Sequence, residues 1–304
     1  MSEEEGMVIF MSSTFWTNTI WYILLGIIAI IVFVFAMFKA EKKKPALALF
    51  LIVYGIILNF ETAILILLKS YTYYPMVFKT APNPINDSLL GNIFSQFSVS
   101  ATILLAVILN LKPYWYFIIA IIFGGIEELF LALGIYSHNW YRTWMTVVLL
   151  PFAIWVSKKI YRQLIQGIKP AYYYPYIFIG LFPLYVTTIM FVIELSGYWA
   201  FKKDLFQDPI HSYNFLGLAL FFTLPSIIMM LIHYLRIKWH WKALGIPMLY
   251  TIYYLCIRYN WLWIKEGWFL PITTIIIVWI YLSVLILDWL YGGKSLSEYS
   301  PDKQ

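Results

Sequence analysis

The sequence predicts an all-α fold: a polytopic helical membrane protein with about nine transmembrane helices, one at the N-terminus followed by two parallel four-helix repeats. Three observations predict it. Apolar stretches of roughly 20 residues recur from Thr19 to Tyr291, and about 20 apolar residues in a helix cross a hydrocarbon core of ~30 Å. The chain is 62% hydrophobic and only 12% charged, with mean hydropathy +0.78; a soluble domain of 304 residues has no interior large enough to hide that surface. Finally, loop lengths, turn residues and charges return in the same order in two long segments.

The predicted spans are 19–38, 46–68, 88–111, 114–134, 141–163, 172–195, 212–234, 242–260 and 269–291. The first is preceded by an outer segment, 1–18, that opens with Glu3, Glu4 and Glu5. A secretory signal starts with positive charge, so this span reads as retained, and Lys39, Lys42, Lys43 and Lys44 anchor it through residue 44. The fourth and eighth spans are interrupted by Glu127, Glu128 and Arg258. Residues 292–304 are polar and predicted to be a disordered cytoplasmic tail.

Orientation follows from the cations. Lys39, Lys42, Lys43, Lys44, Lys112, Lys158, Lys159, Arg162, Lys169, Arg236, Lys238, Lys242, Lys294 and Lys303 fall on one side of the predicted membrane. Half as many fall on the other: Lys69, Lys79, Arg142, Lys202, Lys203, Arg258 and Lys265. The positive-inside rule makes the first side cytoplasmic, with the N-terminus outside a plasma membrane and the C-terminus within. The net charge of +6 is thereby assigned to loops and not to a nucleic-acid surface. Nearly all the aromatics, 25 tyrosines and 14 tryptophans among them, read as an interfacial belt, with many at span ends (Trp21, Trp115, Trp140, Trp144, Trp199, Trp239, Trp241, Trp261, Trp268).

The repeats are 45–170 and 171–291. Each begins with a span carrying a glutamate near its outer end, Glu61 or Glu194, and continues through an outer loop ending Asn83-Pro84-Ile85-Asn86 or Asp208-Pro209-Ile210-His211. Leu90-Gly91 and Leu216-Gly217 follow, then a short basic turn, then Asn139-Trp140 or Gly267-Trp268 before the closing span. Four spans per copy is an even number, so both copies enter the membrane in the same sense.

The Glu128-Leu129-Phe130-Leu131 run, the Gly134-Ile135-Tyr136 turn and His138-Asn139-Trp140 resemble an uncharacterised family of small four- to five-span membrane proteins from spore-forming Gram-positive bacteria. The resemblance covers the first repeat better than the second. It implies a topology, as a tandem duplication, and no activity.

Ionisable groups at a helix centre cost roughly 2.5–3.5 kcal/mol on insertion scales, so their depth is informative. Glu61, Glu127, Glu128, Glu194 and Arg258 fall in the outer third of their spans, with Asn92 at similar depth and His138 in an adjoining outer turn. These seven are the candidate ligand-binding residues, with Arg258 as counter-charge and an ion pair to Glu61 as one arrangement. Adjacent glutamates on a helix point about 100° apart, so one of Glu127 and Glu128 faces any shared site. Gly124, Gly125 and Gly134 read as packing positions.

Several chemistries lack their residues. Glu127-Glu128 opens like a CAAX-type membrane protease, but Ala132 stands where that motif needs arginine, and its later steps are missing. The one cysteine, Cys256, permits no internal disulfide. There is no zinc framework and no nucleotide-binding glycine loop, so no cofactor or metal is predicted. The expected function is a non-enzymatic carrier, channel or receptor-like module with an outward polar vestibule for a small cation or zwitterion. The alternatives are an envelope assembly partner that holds other membrane proteins in a sporulating cell, and a membrane enzyme at the outer leaflet in which His138 meets Glu128.

Overall fold

The computed structural model describes residues 14–77, 85–189, 197–201, 223–235 and 238–292. The chain divides into two compact units, Met1–Ile165 and Gln166–Gln304. In the first, a π-helical turn leads into α1 (Ile20–Lys39), followed by α2 (Lys43–Glu61) with a π-helical extension to Leu67. Then come β1 (Tyr71–Tyr73), α3 (Ile85–Ile108), α4 (Pro113–Ala132), β2 (Tyr136–His138) and α5 (Thr143–Gln166). In the second, α6 (Pro170–Leu181) continues through a π-helical segment to Ile189. It is followed by β3 (Trp199–Phe201), α7 (Leu224–Tyr234), α8 (Trp239–Arg258), β4 (Leu262–Ile264) and α9 (Phe269–Tyr291).

Among the described residues six helical stretches are long and apolar enough to cross a bilayer: Phe15–Lys39, Lys43–Leu65, Asp87–Ile108, Pro113–Ala132, Thr143–Gln166 and Phe269–Tyr291. They coincide with the first five predicted spans and the ninth. The sixth and seventh are described in part, the latter as the short apolar helix Leu224–Tyr234. The eighth is the helix α8, but His240, Lys242 and Arg258 leave it outside the six. These are the helices of a multi-pass membrane protein. Residues 1–13, Glu194, His211 and the tail beyond Gly292 lie outside the described residues.

Helix boundaries follow from local chemistry. Pro113 and Pro170 open α4 and α6 after an extended lysine, where the missing N–H costs nothing. At the far end of α4, Gly134 takes φ +68°, Ile135 N–H donates to Phe130 O and Gly134 N–H to Leu131 O. That is a Schellman closure, with Ile135 and Phe130 buried in the same apolar cluster. The closure turns the chain back so that β2 pairs antiparallel with β1, Tyr71 opposite His138 and Tyr73 opposite Tyr136.

The second unit repeats this frame, the helix closure and second strand 126 residues on and the first strand 128 residues on. Asn260 replaces Gly134 at φ +59°, Trp261 N–H donates to Cys256 O, and β4 pairs antiparallel with β3. The two ribbons are a departure from an all-helical chain. At three residues per strand they are too short to show alternation in sequence. They also pair His138 with Ile264 by position, whereas the turn residues alone set Asn139-Trp140 against Gly267-Trp268.

Small residues let the helices of the first unit approach. A Cβ on Gly26 would lie 2.6 Å from the Phe94 ring, and one on Gly91 would lie 2.7 Å from Tyr73 Cβ, so α1, α3 and β1 meet closely. Gly124 seats α4 against Thr143 and Val147 of α5. Gly125 has no such neighbour and Gly134 serves as the helix cap, so of the three glycines read as packing positions only Gly124 packs. Of the belt tryptophans, Trp115, Trp140, Trp144, Trp239, Trp241 and Trp268 are exposed as expected, but Trp199 on β3 is buried.

Candidate functional site

The ribbon end of the first unit is tied down from several sides. From the π-helical turn before α1, Thr19 Oγ1 donates to Pro75 O (2.7 Å), and from α1 Tyr22 OH donates to Ile135 O (2.6 Å). At the head of α3, the Asp87 carboxylate accepts Met76 N–H (2.9 Å) and Val77 N–H (2.8 Å), and Ser88 Oγ accepts Tyr73 N–H (3.0 Å). Asn139 and Trp140 donate to the carbonyls of Lys69 and Leu68, fastening the chain after β2 to the end of α2.

Beneath this roof lies a cavity of about 180 Å³. Its polar lining comes from Glu61 on α2, Ser95 and Gln96 on α3, Glu127 on α4 and Thr146 on α5. Its roof comes from Tyr71, Tyr73, Tyr136 and Tyr141. These four tyrosines are buried and pack on one another, the Tyr73 and Tyr136 rings 4.9 Å apart and the Tyr71 and Tyr141 rings 5.2 Å apart. Phe60 and Leu149, also on the lining, are exposed. Among the described residues no Lys or Arg lines the cavity.

The two carboxylates are held differently. Glu127 and His138 are each 12% exposed, and His138 Nε2–H donates to Glu127 Oε1 at 2.6 Å. A carboxylate only accepts, which sets the direction. Thr146 Oγ1 donates to Glu127 Oε2 (2.6 Å), so its lone pairs accept from Tyr141 OH (2.9 Å). Thr143 has one proton and two acidic neighbours. At 2.5 Å from Glu128 Oε1 and 3.4 Å from Glu127 Oε1, it serves Glu128. Glu61 Oε2, by contrast, is buried without a hydrogen-bond partner. So are both amide atoms of Gln96.

Gln96 belongs to a polar stripe on α3. Ser88, Asn92, Gln96 and Ser100 stand at i, i+4, i+8 and i+12, all buried, and span about 18 Å at 1.5 Å per residue. Burial, then the nearby Glu127 and Glu61 carboxylates, pushes the Tyr136 phenol well above its ordinary range. Burial pushes Tyr73 the same way. The roof phenols are therefore neutral hydrogen-bond donors.

Of the candidate residues, the structure brings Glu61, Glu127 and His138 together. Glu128 is exposed and turned to Thr143. Asn92 is buried on the α3 stripe, with Oδ1 unpartnered, and is not part of the cavity lining. Arg258 is exposed at the end of α8 in the second unit, and Glu194 lies outside the described residues. His138 meets Glu127, not Glu128. Sequence reasoning missed the tyrosine roof, having assigned aromatics to the membrane interface. The stripe that carries Gln96 was the second omission, and its four-residue spacing was the available signal.

In the second unit Tyr253 stands three residues before Cys256, where Glu127 stands three before Phe130, and Ile264 takes the ladder place of His138. Its polar cluster sits elsewhere: Asp288 Oδ1 accepts Tyr173 OH (2.7 Å) and Tyr234 OH (2.9 Å), with His233 Nε2 3.8 Å from Oδ2. Among the described residues no group of three or more His, Cys, Asp or Glu is placed to hold a metal ion. Set against known protein families, curated proteins and solved structures, the chain matches none.

Proposed function

We propose that this chain is a non-enzymatic carrier, channel or receptor-like module of the cell membrane that receives a small cationic or zwitterionic solute from outside in the cavity of its first unit. The observation that carries the reading is the convergence of Glu61 and Glu127 on one cavity, with Glu61 Oε2 unpartnered. An unsatisfied carboxylate oxygen at this depth is expensive in an apolar span and favours a function that uses it. The cation distribution supports an external N-terminus and a cytoplasmic C-terminus. Tandem duplication is supported by the helix closure and the strand after it recurring 126 residues on, with the partner strand recurring 128 residues on. Parallel repeats are a transporter plan, and here the cavity with its Glu127–His138 pair belongs to the first copy.

The test is binding and uptake in proteoliposomes across a panel of amines, amino acids and inorganic cations. Glu61→Gln abolishes the response to the active solute while the protein stays folded. If no solute responds, or Glu61→Gln leaves the response unchanged, the reading is wrong. The His138–Glu127 pair favours a second reading, a membrane enzyme at the outer leaflet, because an imidazole on a carboxylate is general-base geometry. Chemical turnover of a lipid or peptide, lost in His138→Gln, would establish it.

A further inference from the structure

We infer that the cavity recognises a monovalent organic ammonium group carrying a neighbouring hydrogen-bonding group, as in an amino alcohol, and rejects zwitterions. This rests on the solute-binding reading and narrows its substrate class. Glu127 already accepts from His138 and Thr146, so both its oxygens have hydrogen-bond donors within the protein. Glu61 Oε2 is the acidic oxygen left over, and one spare carboxylate calls for one positive charge.

Gln96 supplies an independent indication. It is 2% exposed, lines the same cavity, and leaves both its N–H donors and its carbonyl unpartnered. A buried amide in that state costs free energy unless a ligand satisfies it, and it suits a hydroxyl, which both donates and accepts. The tyrosine roof adds aromatic surface of the kind that attracts alkylammonium groups. A zwitterion brings a carboxylate that needs a cationic partner, and among the described residues no Lys or Arg lines the cavity.

The ammonium group has two possible sources, a free solute or the head of an amphiphile in the bilayer. The exposed apolar residues Phe60 and Leu149 on the lining are compatible with the second.

The experiment titrates the purified full-length protein in lipid nanodiscs and follows its intrinsic fluorescence. The probes are choline, tetramethylammonium, glycine betaine and dodecyltrimethylammonium. Choline is expected to bind at least tenfold more tightly than betaine, which keeps its quaternary ammonium and adds a carboxylate. Glu61→Gln removes choline binding, and Gln96→Leu weakens choline more than tetramethylammonium. Binding of dodecyltrimethylammonium but not choline places the source in the bilayer, keeps the ammonium group and overturns the neighbouring hydrogen-bonding group. Betaine binding as tightly as choline overturns this inference and leaves the solute site standing. If none of the four probes binds, the ammonium inference is refuted; a response of another solute in the uptake panel would then show that the site itself survives.

Discussion

Replacing Thr146 with valine tests how the Glu127 carboxylate is held. The swap keeps the shape and removes one hydroxyl. That hydroxyl donates to Glu127 Oε2 at 2.6 Å and accepts from Tyr141 OH at 2.9 Å. A hydrogen bond to a charged group contributes about 1.5–3 kcal/mol and a neutral one about 0.5–1.5, so the expected loss is about 2–4.5 kcal/mol. Interhelical hydrogen bonds in membranes average only about 0.6 kcal/mol, because the unfolded chain in lipid finds other partners. The larger figure is expected here because an anionic oxygen at 12% side-chain exposure has few substitutes for a lost donor. Thr102→Val is the control: its hydroxyl only back-bonds to Ser98 O within α3, and its loss is expected to cost less than about 0.5 kcal/mol. Thermal unfolding in detergent, followed by tryptophan fluorescence, reads the difference as about 3–7 °C in the midpoint. A Thr146→Val midpoint equal to that of Thr102→Val refutes the claim that Glu127 depends on this network.

Further expectations concern packing, strain and pH. Gly91→Val forces α3 away from Tyr73 and Tyr22 and is expected to cost about 2–4 kcal/mol in the same unfolding assay. Lys69 sits at φ +48° where the second unit has Gly197 at +70°; Lys69→Gly is expected to leave stability unchanged or raise it by up to about 1 kcal/mol. The Tyr73 and Tyr136 phenols have folded-state pKa values raised above the unfolded value of about 10. Their contribution is thus complete below about pH 10 and is lost as pH rises above it. Alkaline unfolding is expected to steepen above about pH 10, and Tyr136→Phe to make it shallower.

The spans were legible because an apolar run of bilayer length is a one-dimensional property, readable without knowing any partner. α8 shows the limit: its apolar stretch is real, but His240, Lys242 and Arg258 at its two ends lower the hydropathy of any bilayer-length window. The ribbons were illegible because three-residue strands carry no period, and their pairing is created by the αL turn at Gly134. That turn also decides the site. Glu127 and His138 were both candidates, yet eleven residues of separation do not say that a helix closure folds one onto the other. Which of the paired glutamates faces inward was likewise undecidable. Glu127 lies three residues past Gly124, where α4 touches α5, and so meets Thr146. The tyrosines misled for a simple reason: an amphipathic ring suits the headgroup layer and a buried roof equally well.

Charge inside the cavity is measurable without knowing the solute. In a Cys256→Ser background, which removes the one native thiol, Ser95→Cys places a reactive group on the cavity lining beside Gln96. A small cationic methanethiosulfonate is predicted to modify it faster than the anionic analogue, on the order of tenfold, and Glu61→Gln to erase the preference. Equal rates for the two reagents, or a preference that survives Glu61→Gln, would contradict an acidic, solute-accessible cavity in the first unit.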